Sequence, residues 1–231
     1  MKKDYAKRIL EETRENYNLI SQDFSRTRNK FWDEMGFICK YVNDNEKILD
    51  LGCGNGRLYE LFQDKSLDYY GIDFSEGLIE IAQKRYPGFK FQVADALNLP
   101  FPADFFDKVF SIAVLHHIPS RELRIKFLQE IKRVLNSEGL VILSVWNFNR
   151  FNKFKLIFDF LYYKFLKGKD IDFGDTFVPW SNKLLRYVHS FSKRELISLF
   201  NSAGFNILKI KKISRIKSRE SNLLIIAEKK S

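Results

Sequence analysis

The stretch Ile48-Leu49-Asp50-Leu51-Gly52-Cys53-Gly54-Asn55-Gly56 decides the fold. A short apolar run ends in an acid and opens into three glycines at alternate positions. That pattern is a strand turning tightly into a helix, the first unit of an α/β sheet. Glycine permits positive φ and lets the backbone approach a ligand closely. The spacing is GxGxG, not the GxGxxG of dinucleotide folds. No Lys-Ser or Lys-Thr pair follows, so the loop is not a phosphate-gripping one.

Upstream, residues 4–22 carry apolar side chains at helical spacing and predict an amphipathic helix, interrupted at 23–28. A second helix is expected over 29–43. These 1–45 helices are free to cover the ligand side of the sheet. Downstream, the expected strands are 47–50, 68–73, 90–93, 107–113 and 140–145. Helices are expected over 56–62, 77–85 and 122–135, the last capped by Gly139. Residues 146–190 break the rhythm and are read as an aromatic, basic insertion with one or two helices. Ser192 and Glu195 form a capping-box pattern for a helix over 193–202. Strands over 205–210 and 222–227 complete the set, with a basic loop between them. The chain therefore reads as one doubly wound Rossmann-like domain over 1–231 with a seven-stranded sheet.

Composition narrows the class. The chain is 45% hydrophobic with 23 Phe and 10 Tyr, which excludes a disordered protein. Residues 1–149 carry 21 Lys/Arg against 22 Asp/Glu, whereas residues 150–231 carry 18 against 7. The later part is thus suited to a polyanionic substrate. Cys39 and Cys53 give no disulfide framework, and the scattered His and Cys give no metal cluster. The first residues lack the apolar core of a signal peptide, and no run is long enough to span a membrane. A cytoplasmic protein without membrane contact is expected.

In such a sheet the ligand lies beyond the carboxyl ends of the strands. The first strand end offers Asp50, Gly52, Cys53, Gly54 and Gly56. The second offers Asp73 and Phe74, where a carboxylate can accept from ribose hydroxyls. Asp95 can accept from an adenine amino group, and Ala96 leaves room for the ring. Ala113 and Val114 end the fourth strand. Acids suit the sulfonium and ammonium of S-adenosylmethionine (SAM), so the loop reads as that of a SAM-dependent methyltransferase.

The segment Ser111-Ile112-Ala113-Val114-Leu115-His116-His117-Ile118 resembles the class I SAM methyltransferases that act on modified wobble uridine in tRNA. Three further stretches are similar to the same family: residues 17–32 with their arginines before a Trp, Asp175-Thr176-Phe177-Val178-Pro179-Trp180, and Arg186-Tyr187-Val188-His189-Ser190-Phe191. The resemblance implies a sheet with its last strand antiparallel. It also implies methyl transfer to the carboxylate of 5-carboxymethyluridine in the tRNA anticodon, giving the methyl ester. A small zinc-binding methyltransferase activator protein is implied as a heterodimer partner.

A carboxylate is ionised near pH 7 and needs no general base, so alignment and electrostatics would carry the catalysis. A cation must hold the substrate, and Arg26 is the first candidate, with Arg28 second. His116 and His117 are expected to touch the base or shape the pocket. Trp146 could stack on that base, Asn147 bond its edge, and His189 face the pocket. Lys153, Lys155, Lys164, Lys167, Lys169, Arg215, Lys217 and Arg219 form a pool for phosphate contacts. The competing reading is a SAM-dependent O- or C-methyltransferase for a small molecule, such as a quinone precursor or a carboxylic acid.

Overall fold

The computed structural model describes residues 1–147, 150–180, 184–214 and 221–230, without the side chains of 150–153 and 155. Helix α1 runs unbroken over Lys3–Thr27 and buries Ala6, Ile9, Thr13, Tyr17 and Ile20 at spacings of three and four. The break expected at 23–28 does not occur. Asp23 pairs with Arg26 one turn on, and Thr27 Oγ1 donates to the Asp23 carbonyl at 2.8 Å, so the polar run satisfies itself within the helix. The helix expected over 29–43 is instead a 3₁₀ turn, Asp33–Tyr41. Met35, Ile38 and Tyr41 recur every third residue, which suits three residues per turn.

The main sheet contains β1 (Lys47–Leu51), β2 (Asp68–Asp73), β3 (Lys90–Val93), β4 (Phe106–Ile112) and β5 (Leu135–Asn147). Another 3₁₀ turn, Arg57–Phe62, follows the glycine loop where an α-helix was expected. Helices α2 (Glu76–Arg85) and α3 (Arg121–Val134) flank the sheet. Gly139 does not cap α3. That helix ends at Val134, and Gly139 lies within β5, whose pairing to β4 begins at Leu135 opposite Phe106.

The insertion holds α4 (Arg150–Leu161), a wide π-type continuation over Tyr162–Leu166, and an antiparallel hairpin. The hairpin, β6 (Asp175–Trp180) and β7 (Leu184–His189), pairs Asp175 with His189. The chain then forms α5 (Lys193–Ser202) with the expected capping box, β8 (Phe205–Ser214) and β9 (Ser221–Lys229).

The seven-stranded order is β3-β2-β1-β4-β5-β9-β8, with β9 antiparallel to both neighbours. Alternation within each strand builds two cores. Leu49, Leu143 and Ile225 face Phe127, Ile131 and Leu199. Ile48, Ile142, Leu224 and Ile226 face Met35, Ile38 and Phe62. The strand order reverses at β1, between β2 and β4, and a crevice opens at the carboxyl ends there.

Candidate active site

Beyond the end of β1 lies a cavity of about 420 Å³. Asp50, Gly52, Cys53, Gly54, Asp73, Phe74, Asp95, Ala96, Ala113 and Val114 line it, as do His116, His117 and Trp146. Helix α1 forms its cover, placing Leu10, Arg14 and Tyr17 on the wall. Asn18 fixes the cover: its Oδ1 accepts from Ser75 Oγ at 2.7 Å and from the Gly77 N–H at 3.3 Å.

The glycines have separate reasons. Gly52 has φ +78°, and a Cβ there would stand 2.3 Å from Val114 Cγ2. Gly54 has φ +55° and faces Phe24 of the cover. Gly56 also has positive φ but does not line the cavity. It starts the 3₁₀ turn and packs against Tyr86 and Phe91, where a Cβ would come within 3.1 Å.

The acids are built into the backbone. Asp73 accepts from the Gly54 N–H on Oδ2 and the Ser75 N–H on Oδ1, both at 2.9 Å. Burial pushes its carboxyl up to about 6, and those N–H groups hold it down against that. Burial likewise raises Asp50 to about 7, although the Tyr69 hydroxyl donates to it at 2.7 Å. Asp95 accepts the Leu97 N–H at 2.8 Å. Burial pushes the Cys53 thiol well up, so it stays protonated. A glycine cradle in which Gly52 has no room for a side chain, beside the buried carboxylates of Asp50 and Asp73, fits a cationic ligand such as SAM.

His116 and His117 are held neutral. Burial brings His117 down to about 3, aided by the Arg186 charge. Its Nδ1 bonds the Tyr187 carbonyl at 2.9 Å, so its Nε2 accepts from the Tyr17 hydroxyl at 2.9 Å. His116 is fully buried and stacks on Trp146 at 4.9 Å. Burial pushes it far below the usual range, with the His117, Arg186 and His189 charges adding to the effect.

Three expected site residues lie elsewhere. Arg26 projects from α1 with its side chain 77% exposed and pairs with Asp23 at 2.6 Å. Asn147 donates to the Phe191 carbonyl at 2.6 Å and is not on the cavity wall. His189 is buried between Asp175 and Glu195, at 2.7 Å from each. Arg124 and Tyr187 complete that cluster. Burial alone would raise Asp175, but His189, Arg124 and Tyr187 outweigh it and hold the carboxyl low.

The wall carries cations that sequence spacing did not single out: Lys7, Arg14, Arg57 and Arg186, besides Arg28. They come from three separate segments, α1 with its C-cap, the turn after the glycine loop and β7, so no motif gathers them. Arg186 sits inside a quoted landmark, and its place beside His189 was the available signal. Of the phosphate pool, Lys164, Lys167 and Lys169 lie on the insertion. The side chains of Lys153 and Lys155, and all of Arg215, Lys217 and Arg219, lie outside the described residues. Among the described residues, no group of three or more His, Cys, Asp and Glu could hold a metal ion. No described helix is long and apolar enough to cross a membrane.

Residues 49–143 match the model of the methyltransferase domain family. A tRNA (carboxymethyluridine(34)-5-O)-methyltransferase of Arabidopsis thaliana is 38% identical over 130 residues, 56% of this chain and 31% of its own length. This chain thus spans under a third of that relative. A protein of Encephalitozoon cuniculi named as a methyltransferase is 31% identical over 195 residues, covering 83% of this chain and 86% of its own. Among solved structures, the Haloferax volcanii protein determined in complex with the Trm112 methyltransferase activator superposes with a TM-score of 0.70. It is 17% identical, over 95% of this chain and 98% of that one. The glycine cradle, the strand order and these relatives agree: the chain belongs to the class I SAM-dependent methyltransferases.

Proposed function

We propose that this enzyme methylates the carboxylate of 5-carboxymethyluridine at the tRNA wobble position, giving the methyl ester. The observation that carries the reading is the wall of cations, Lys7, Arg14, Arg28, Arg57 and Arg186, in the cavity that holds the cofactor acids. An anionic acceptor suits that wall better than a neutral ring would. The name of the Arabidopsis relative points the same way.

Bound SAM supplies an electrophilic methyl group. Gly52 and Gly54 would leave it room, Asp50 would face its methionine part, Asp73 would accept from the ribose hydroxyls, and Asp95 would accept from the adenine amino group. Ala96, Ala113 and Val114 shape the space beside the reacting atoms. Trp146, held by its stack on His116, offers a ring for the flipped base. The histidines act as neutral wall groups, not proton carriers, which suits an acceptor already ionised at neutral pH. Helix α1 excludes water and keeps the reacting groups aligned.

The partner reading extends this. A small zinc-binding activator would pair with an exposed sheet edge, and β3 and β8 are the two edges of the main sheet. The Haloferax complex supports an activator as partner. The substrate would be the tRNA anticodon region, and the compartment the cytoplasm.

Nucleoside mass spectrometry tests the reading. The protein, with and without its host's activator, is given SAM and tRNA bearing 5-carboxymethyluridine. The expected result is a gain of one methyl that mild alkali removes. Unchanged nucleosides in both samples, despite measurable SAM binding, would instead favour a small carboxylic or phenolic acceptor.

A further inference from the structure

Arg186 is a buried cation without a counter-ion. It lies on β7, is 4% exposed, and forms part of the cavity wall. Its Nη1 donates to the Tyr17 hydroxyl at 3.3 Å, while its Nε has no acceptor. Among the described residues no carboxylate lies within ion-pair distance of it. The guanidinium sits over the Trp180 ring at 4.5 Å, with Trp146 at 5.7 Å. Those rings fix its plane and exclude water, but they do not neutralise it.

His116 supplies a second orphan donor in the same cavity. The Trp146 backbone N–H approaches its Nδ1 at 3.4 Å, which assigns the ring hydrogen to Nε2. That nitrogen is buried and has no acceptor. Native interiors pair nearly all such groups, and a buried charge left alone is costly.

Arg124 provides an internal comparison. It is equally buried, at 2%, yet Asp175, Glu195, the Tyr187 hydroxyl and the Ile118 carbonyl surround it. Where a buried arginine has a structural task, this chain gives it carboxylates. Arg186 is denied them and turned to the cavity instead.

We propose that Arg186 and the His116 Nε2–H form an anion subsite that receives the acceptor's carboxylate. The inference rests on the carboxylate-methylation reading above and names the residues that select the acid. The subsite holds one carboxylate oxygen and leaves the other free to take the methyl group. Arg26, exposed and paired with Asp23, has no part in it. A neutral amide of the same shape would leave the Arg186 charge uncompensated, so the site discriminates acid from amide.

The test uses two anticodon stem-loop RNAs, one with 5-carboxymethyluridine and one with 5-carbamoylmethyluridine. Each is titrated against the full chain, with its activator, saturated with S-adenosylhomocysteine. The wild type should prefer the acid roughly 10- to 100-fold, as expected for a charged hydrogen bond. Arg186→Gln should lose most of that preference while keeping its affinity for S-adenosylhomocysteine, which reports folding. Should Arg186→Gln fail to bind S-adenosylhomocysteine, Arg186→Lys and His116→Gln decide the same question by the same ratio. An unchanged preference in a variant that still binds S-adenosylhomocysteine overturns the subsite. A preference that vanishes only in Arg28→Gln also overturns it, by moving the subsite to Arg28. A wild type that neither methylates nor prefers the acid RNA sinks the parent reading, a result distinct from either variant outcome.

Discussion

Gly52 admits one residue type for two independent reasons. Its φ of +78° disfavours any side chain, and Val114 occupies the space a Cβ would need. Gly52→Ala is expected to destabilise the fold by about 1–3 kcal/mol and to abolish S-adenosylhomocysteine binding, as titration calorimetry would read. His117 gives a pH signature. Its folded value of about 3 lies below its ordinary 6.5, so the fold favours the neutral ring. Stability from this source is full above pH 6.5 and is lost as pH falls towards 3. Asp50 and Asp73 act in the opposite sense. Their raised values of about 7 and 6 make the fold favour the protonated acids, so their share of stability falls as pH climbs through that range. His117→Asn leaves both acids in place, so a comparison with wild type isolates the histidine. The destabilisation by His117→Asn should be greatest near pH 7–8 and shrink by on the order of 1–3 kcal/mol towards pH 4. Urea denaturation at each pH measures it, and a difference independent of pH would contradict the assignment.

At the scale of elements, two joints hold the site. Helix α1 is tied to the start of α2 through Asn18, and Gly77 permits the close approach because a Cβ there would meet Ser21 Oγ at 2.7 Å. Asn18→Ala leaves the Ser75 hydroxyl and the Gly77 N–H without that acceptor, at a cost of about 1–2 kcal/mol. The expected consequence is weaker S-adenosylhomocysteine binding and faster amide exchange in α1, with exchange in β4 and β5 unchanged. The second joint is the Arg124–Asp175–His189 cluster, which ties α3 to the insertion hairpin, while Glu195 ties α5. Asp175→Ala takes the nearer carboxylate from buried Arg124 and His189, leaving Arg124 only Glu195 at 3.8 Å, and should cost about 3–5 kcal/mol in thermal or urea unfolding. A loss below 1 kcal/mol would mean that the cluster contributes nothing to docking the hairpin.

The whole molecule separates its charges by role. The nucleotide-binding part is nearly neutral, and the excess of Lys and Arg follows residue 150. Affinity for unmodified anticodon stem-loop RNA should therefore fall steeply with salt. Lys164→Gln and Lys167→Gln should each lower the log–log slope by about 1, alike for every RNA sequence. Slopes equal to wild type would place the RNA path away from the insertion. The insertion also shows Phe154, Phe158, Phe165 and Leu166 to solvent, each more than 65% exposed. No contact among the described residues explains that surface.

The sequence alone determined the sheet and the cofactor end of the site. Asp50, the GxGxG loop, Asp73 and Asp95 are local signals, each fixed by its place at a strand end, and strand ends follow from periodicity. The capping box at Ser192 and the continuity of β1 to β4 are legible for the same reason. Where local signals compete, tertiary context decided. Residues 23–27 read as a break but stay helical, because Phe24 packs on Tyr17 of the same helix and stacks on Trp180 of the hairpin. The hairpin 175–189 forms because His189 and Asp175 meet across strands that the sequence keeps apart. The acceptor end was decided by folding alone. Arg26 and Arg28 stand two residues apart in the chain, but α1 ends between them at Thr27, so that one goes to solvent and the other lines the cavity. Arg186 reaches the wall from a distant hairpin. Its missing counter-ion is a property of the assembled interior, which no spacing along the chain encodes.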